Sequence, residues 1–174
     1  MTSCDITHRL RDLGDFPAPP ADIAPTDEPQ EVVLGGGCFW CVEAVFKRVE
    51  GVLEVVSGYA GDTEQRANYD AVCSGRTDHS EVIRVRFDAS QVSYGELLKV
   101  FFSAAHDPTQ LDRQGNDRGR QYRSAIFFAS EEQRNVAGAY IDRLNERRTF
   151  GQPVVTTLEP LETFFEAEAY HQDY

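Results

Sequence analysis

No run of apolar residues in the 174-residue chain approaches the roughly 20 that a bilayer-spanning helix requires, and the N-terminal stretch lacks the apolar core of a secretory signal. A cytosolic protein is therefore expected. Basic residues are few, 17 Lys and Arg against 29 Asp and Glu, for a formal net charge of −12. A surface of that sign repels phosphate backbones and anionic lipid, so neither nucleic acid nor membrane is an expected partner. Cysteine is scarce as well. Cys4, Cys38, Cys41 and Cys73 could form two bridges in an exported protein, but in a reducing compartment they read as reactive, metal-binding or buried thiols. The composition, 41% apolar and 26% charged, is that of an ordinary globular domain, which excludes wholesale disorder, collagen and coiled coil. The length suits one domain.

Five of the eight prolines, Pro17, Pro19, Pro20, Pro25 and Pro29, fall near the N-terminus, where large apolar residues are few. Residues 1–30 are thus expected to form an extended or mobile arm, and residues 31–174 a single domain without internal repeats. Val32, Val33 and Leu34, stopped by three glycines, predict a buried strand and a turn. Phe39, Val42, Val45, Phe46 and Val49 recur at helical spacing up to Gly51. Strands are predicted over 53–59 and around 83–87, with a long loop over 60–80 between them. Ser93 with Glu96 has the spacing of a capping box ahead of Leu97, Leu98, Phe101 and Phe102. A second polar loop, 107–122, leads to a strand over 124–129, a helix opened by Ser130 and Gln133 and reaching about Arg147, and a last strand over 154–158. The order β-α-β-β-α-β, with an added helix and strand, is the α+β split or ferredoxin-like pattern, with helices packed on a largely antiparallel sheet.

Chemistry concentrates at Gly35-Gly36-Gly37-Cys38-Phe39-Trp40-Cys41. A cysteine at the first turn of a helix faces unpaired N–H groups and the positive end of the helix dipole, which favour a thiolate and make Cys38 a nucleophile candidate. The glycines permit a tight turn and a close approach of substrate to the backbone. Cys41, three residues on, is placed either to form a dithiol couple with Cys38 or to pack against the helix face. The loop lacks both the lysine of a P-loop and the G-x-G-x-x-G spacing of a dinucleotide site. A zinc site from Cys38, Cys41, Cys73 and His79 has four ligands, but the second pair departs from the usual short spacing. Glu81 stands where a strand begins; desolvated, it becomes a proton donor, and solvated, an ordinary surface carboxylate. The loop over 107–122 is more polar than a connection needs, as in a ligand-binding loop or a solvated surface.

The segments GGGCFWCVEAVF at 35–46, SGYAG at 57–61, NYDAVCSG at 68–75, DHSEV at 78–82, SYGELL at 93–98, HDPTQ at 106–110, RQGNDRGRQYRSAIF at 113–127 and AYHQDY at 169–174 occur together in one chain. In these residues the sequence resembles the peptide methionine sulfoxide reductases of the A type. The resemblance implies an enzyme of protein repair under oxidative stress that reduces methionine-(S)-sulfoxide, free or in proteins, without metal or organic cofactor. It implies that Cys38 attacks the sulfoxide sulfur and becomes a sulfenic acid, that Glu81 protonates the departing oxygen, and that Tyr69 and Tyr122 hold that oxygen by their hydroxyls. Asp117 then helps fix the substrate, and Phe39 and Trp40 form an aromatic wall for the methyl group. Many relatives have glycine at the positions of Cys41 and Asp78, and many carry recycling cysteines beyond the segment that here ends at Tyr174. Cys41 is accordingly the expected resolving thiol, ahead of Cys73 and Cys4, with thioredoxin or another dithiol as reductant and a monomer as the working unit. Two rivals stand beside this reading, a general thiol-disulfide oxidoreductase and a zinc-stabilised interaction module.

Overall fold

A computed structural model describes residues 15–174; Cys4 and the first part of the proline-rich arm lie outside the described residues. The chain forms β1 (Gln30–Gly36), α1 (Phe39–Phe46), β2 (Val52–Ala60), α2 (Tyr69–Cys73), β3 (Ser80–Phe87), α3 (Tyr94–Val100), a short hairpin of β4 (Arg113–Gln114) and β5 (Asp117–Arg118), β6 (Ser124–Phe128), α4 (Glu131–Glu146), β7 (Thr157–Pro160) and β8 (Phe164–Glu166). The main sheet runs β7-β6-β1-β3-β2-β8. Its four inner strands pair antiparallel, β7 adds parallel to β6, and β8 adds antiparallel to β2. With α1 crossing from β1 to β2 and α4 completing the layer, the α+β split β-α-β pattern predicted from the sequence is the fold.

β1 is central, and both of its faces are covered, which is why Val32, Val33 and Leu34 read as an unbroken apolar run. Val32 and Leu34 join Ile83, Val85, Phe87 and Ile126 under the helices, while Val33, Val82, Ala125 and Phe127 form a smaller cluster on the opposite face, against Leu161 and Phe164. Arg84 lies on that second face beneath the Phe164 ring, 4.8 Å from its centroid. Ser93 and Glu96 close the capping box reciprocally, at 3.0 and 2.7 Å. Ser130 caps α4 through the Gln133 N–H at 3.1 Å, whereas the Gln133 side chain ties Ala129 to the Glu31 carbonyl at 2.9 Å each. Arm residues 16–23 lie on the body: Asp22 accepts from Ser93 Oγ at 2.6 Å and from the Gly95 N–H at 2.8 Å, and the Tyr140 hydroxyl donates to the Pro17 carbonyl.

The hairpin β4–β5 and the strand β8 were not predicted, β3 starts earlier, at Ser80, and other differences have local causes. The helix predicted to reach Val49 stops at Phe46; Val49 packs on the core from a turn instead, so the apolar spacing outlasts the helix. The last predicted strand begins at Thr157, because the Val155 N–H is taken by the Pro108 carbonyl at 2.8 Å, off the ladder. The loop over 60–80 contains α2, whose five residues are too few to show a helical period.

Candidate active site

β1 runs through Gly36, so the turn itself is Gly37, at φ +89°. The three glycines make room for protein. A Cβ on Gly35 would stand 2.9 Å from Ser80 Oγ, one on Gly36 3.1 Å from His106, and one on Gly37 2.6 Å from the Gln114 side chain. The close approach expected of a substrate is taken at all three by neighbouring loops and strands. Gln114 spans this junction, accepting from the Asp107 N–H at 2.8 Å and donating to the Asp107 carbonyl at 2.9 Å.

Cys38 is the N-cap of α1, and its carbonyl accepts from the N–H groups of Cys41 and Val42 at 3.1 and 3.3 Å. Its sulfur lies within hydrogen-bonding reach of the Cys41 thiol. That contact, burial and the second sulfur's charge push the Cys38 thiol up, against the backbone N–H groups of Trp40 and Cys41, which pull it down. The helix start therefore does not by itself yield a resting thiolate, because a second thiol competes for the same donors and burial disfavours charge. Cys38, Cys41 and Cys73 are all outside disulfides, with Cys41 exposed and the other two half-buried.

Glu81 is the second residue of β3, opposite Tyr59 in the β2 register, and only 2% exposed. Its Oε2 accepts from the Phe39 N–H at 3.1 Å, and its Oε1 lies 4.0 Å from Cys73 Sγ. Burial raises its pKa to about 8, with the charges of Cys38 and Asp117 adding to the effect and the Phe39 N–H opposing it. At neutral pH the carboxyl is thus held toward its protonated form. The buried side of the alternative left open for Glu81 is the one that the fold realises.

Tyr69 opens α2, and Tyr122 ends a short turn before β6; the two hydroxyls converge on the Cys73 sulfur beside Glu81. Tyr69 is shifted up by that contact and by burial, Tyr122 by burial and the charge of Glu81, so both remain donors at neutral pH. Cys73 is itself held up by burial. Asp117 stands exposed on the hairpin at the mouth, close enough for its charge to act on Glu81. Trp40 is half-buried, while the Phe39 ring is 1% exposed and backs Trp40 at 5.9 Å. The Trp40 ring in turn carries the Tyr174 ring stacked on it at 4.1 Å.

His79 does not join the thiols. One ring nitrogen accepts from the Asp62 N–H at 3.2 Å and the other meets the Thr63 carbonyl at 2.9 Å. Among the described residues, no group of three or more His, Cys, Asp and Glu side chains is arranged to hold a metal.

The sequence profile of the peptide methionine sulfoxide reductases matches residues 30–174. The chain belongs to that family. The peptide methionine sulfoxide reductase MsrA 2 of Synechocystis is 52% identical over 163 residues, covering 91% of this chain and 76% of the relative. Methionine sulfoxide reductase A of Corynebacterium diphtheriae superposes with a TM-score of 0.72 at 33% identity, over 93% of this chain and 82% of that one. Reduced Mxr1 of Saccharomyces cerevisiae gives 0.77 at 29% identity, over 87% of each. The chain is an oxidoreductase, and its family reduces methionine sulfoxide.

Residues that sequence reading passed over also frame the reductase site. Glu168, His171 and Gln172 come from the C-terminal segment. His171, 3% exposed, packs its ring at 4.2 Å from Tyr69 and 5.3 Å from Trp40. For His171 and Gln172 the signal was the AYHQDY segment, which carried a resemblance but no role; Glu168 lies just before it and had none. No helix among the described residues is long and apolar enough to cross a membrane.

Proposed function

We propose that the reductase acts on methionine-(S)-sulfoxide, free or within proteins, with Cys38 as nucleophile and Glu81 as proton donor. The observation that carries this reading is a buried carboxyl, Glu81, bonded to the first N–H beyond the cysteine that caps α1, with two tyrosine hydroxyls beside it and a pKa that burial drives up. A sulfoxide oxygen leaves poorly until it is protonated and hydrogen-bonded, and its S-methyl group is apolar; the site has donors for the one and the Trp40 ring for the other.

In the first step the Cys38 sulfur attacks the substrate sulfur, the substrate S–O bond breaks, and a new S–O bond forms on Cys38. Two electrons pass from the cysteine sulfur to the methionine sulfur. Glu81 gives a proton to the oxygen and takes up the one that the Cys38 thiol releases, so the carboxyl ends as it began. Tyr69 and Tyr122 donate to the oxygen as charge grows on it, and Asp117 orients the substrate at the mouth. Cys41 then attacks the Cys38 sulfenic acid; a disulfide forms and water leaves. The contact between the Cys38 and Cys41 thiols supports this choice. A dithiol such as thioredoxin next reduces the bridge by exchange and is itself oxidised. Yeast Mxr1 has been crystallised in complex with Trx2. A cycle that starts from Cys38 and Cys41 as thiols fits the reducing cytoplasm, and since every group it uses comes from one chain, a monomer suffices.

The test is an epimer-resolved reduction assay with dithiothreitol, scoring methionine released per enzyme. Release from the S epimer alone is expected; release from the R epimer, or none from either, refutes the reading. The general thiol-disulfide oxidoreductase accounts for Cys38 and Cys41 but gives no work to Glu81, Tyr69 and Tyr122.

A further inference from the structure

The C-terminal segment is anchored on β2 at two points. The Ala167 N–H donates to the Ser57 carbonyl at 2.9 Å. Gln172 grips the same residue, its Oε1 accepting from the Ser57 N–H at 2.9 Å and its Nε2 donating to the Ser57 carbonyl at 2.8 Å. Between these anchors lies Glu168. Its Oε1 accepts from the Tyr69 N–H at 2.8 Å, and its Oε2 accepts from the Tyr59 hydroxyl at 2.9 Å. Partial burial works to raise its pKa, but the N–H of Tyr69, its own N–H and the Tyr59 hydroxyl outweigh that and hold the carboxylate below its usual range.

These contacts bear on α2. A helix of five residues cannot hold its own direction, since nucleation fixes several dihedrals for each hydrogen bond gained. Val72 pins it to the core, and the acceptors of its first N–H groups set the direction of its start. Asn68 Oδ1 takes that of Ala71 at 3.0 Å, and Glu168 takes that of Tyr69. The Tyr69 hydroxyl lies at the far end of its side chain, so a small rotation of α2 swings it away from the place that Tyr122 and Glu81 face. Tyr59, the other residue held by Glu168, is fully buried and stands opposite Glu81 across the β2–β3 ladder.

We propose that Glu168 is a positioning residue of the reductase: by accepting the Tyr69 N–H it fixes the pose of the Tyr69 hydroxyl, so that docking of the C-terminal segment on β2 completes the oxygen-binding pocket. The inference rests on Tyr69 being a donor to the sulfoxide oxygen, as proposed above.

The experiment is single-turnover release of methionine from methionine-(S)-sulfoxide by the wild type, Glu168→Ala, Glu168→Gln, Tyr69→Phe and the Glu168→Ala/Tyr69→Phe double variant, with thermal unfolding recorded for each. Glu168→Ala is expected to lose at least about tenfold in rate, as a misplaced reacting group does. Glu168→Gln, whose amide oxygen still accepts the Tyr69 N–H, should stay within about threefold of wild type, because the single accepted bond is what the inference requires. The double variant should be no slower than Tyr69→Phe alone, since the two residues act through one hydroxyl. Should Glu168→Ala fail to fold, Glu168→Asp, which withdraws the carboxylate by one methylene, takes its place with the same expectations. A fully active Glu168→Ala, a Glu168→Gln as slow as Glu168→Ala, or losses that multiply in the double variant would overturn the proposal. Absence of release from the wild type would instead refute the functional reading on which it rests.

Discussion

Glu81 carries the sharpest prediction, because one buried proton governs both rate and stability. Its ordinary pKa near 4.5 is raised to about 8, chiefly by burial. Between those values the folded chain holds a proton that the unfolded chain has released, so folded stability falls as pH rises through the window. The slope is about 1.4 kcal/mol per pH unit from this group, amounting to roughly 5 kcal/mol in all. Glu81→Gln keeps the shape and an acceptor for the Phe39 N–H but holds no titrating proton. It should therefore be more stable than the wild type at pH 8, and its unfolding free energy should lose this slope. The rate should move the other way. Wild-type single-turnover release should be level from pH 6 to 7.5 and then fall about tenfold per unit above pH 8 as Glu81 ionises. Glu81→Gln should be slower by on the order of 10² to 10⁴, the range for a general acid, with substrate binding little changed. Urea unfolding across the pH range, paired with methionine release measured by chromatography, tests both arms. A Glu81→Gln variant of wild-type rate, or a wild-type rate that climbs steadily from pH 7 to 10, would refute the assignment and point to thiol ionisation as the controlling step.

Cys38→Ser should release no methionine, whereas Cys41→Ser and Cys73→Ser should each release one equivalent per enzyme in a single turnover. With thioredoxin as reductant Cys41→Ser should fail to turn over, and mass spectrometry of the oxidised wild type should show a peptide joining Cys38 to Cys41; a bridge to Cys73, or a stable sulfenic acid reduced directly, would remove Cys41 from the cycle. Gly37→Ala introduces a Cβ at φ +89° and 2.6 Å from Gln114, and should lower stability by about 1–3 kcal/mol in urea unfolding. Arg123, which makes two bonds to Glu159 at 2.9 Å and reaches the carbonyls of Asp78 and Arg120, links the loops that carry Tyr69 and Tyr122. Arg123→Met should cost about 1–3 kcal/mol by removing the charged hydrogen bonds to the partly exposed Glu159 and unpairing the Asp78 and Arg120 carbonyls, and should slow methionine release; unchanged stability would show that water replaces the guanidinium.

Local pattern alone determined a large part of this protein. The apolar run of Val32 to Leu34 predicted the central strand, the Ser93 and Glu96 spacing predicted a cap that closes reciprocally, and the order of elements predicted the sheet, because caps and periodicities depend on residues a few positions apart. The sequence also determined which side chains to watch, since a cysteine after three glycines and several motifs in a fixed order are readable without coordinates. Tertiary structure decided what those side chains meet. Glu81 is an acid because β2 and α1 cover it, and nothing in its neighbours along the chain distinguishes it from a solvated glutamate. The glycines are needed because Ser80, His106 and Gln114 occupy the space beside them. Phe39 is buried behind Trp40 although the two are adjacent in sequence, because successive helical residues point about 100° apart. The Cys38 thiol is held up by a neighbour that the sequence placed nearby but could not orient. Glu168 reaches Tyr69 across 99 residues, from a strand of three residues and a tail too short to show any period; only the pairing of β8 with β2 brings the two together.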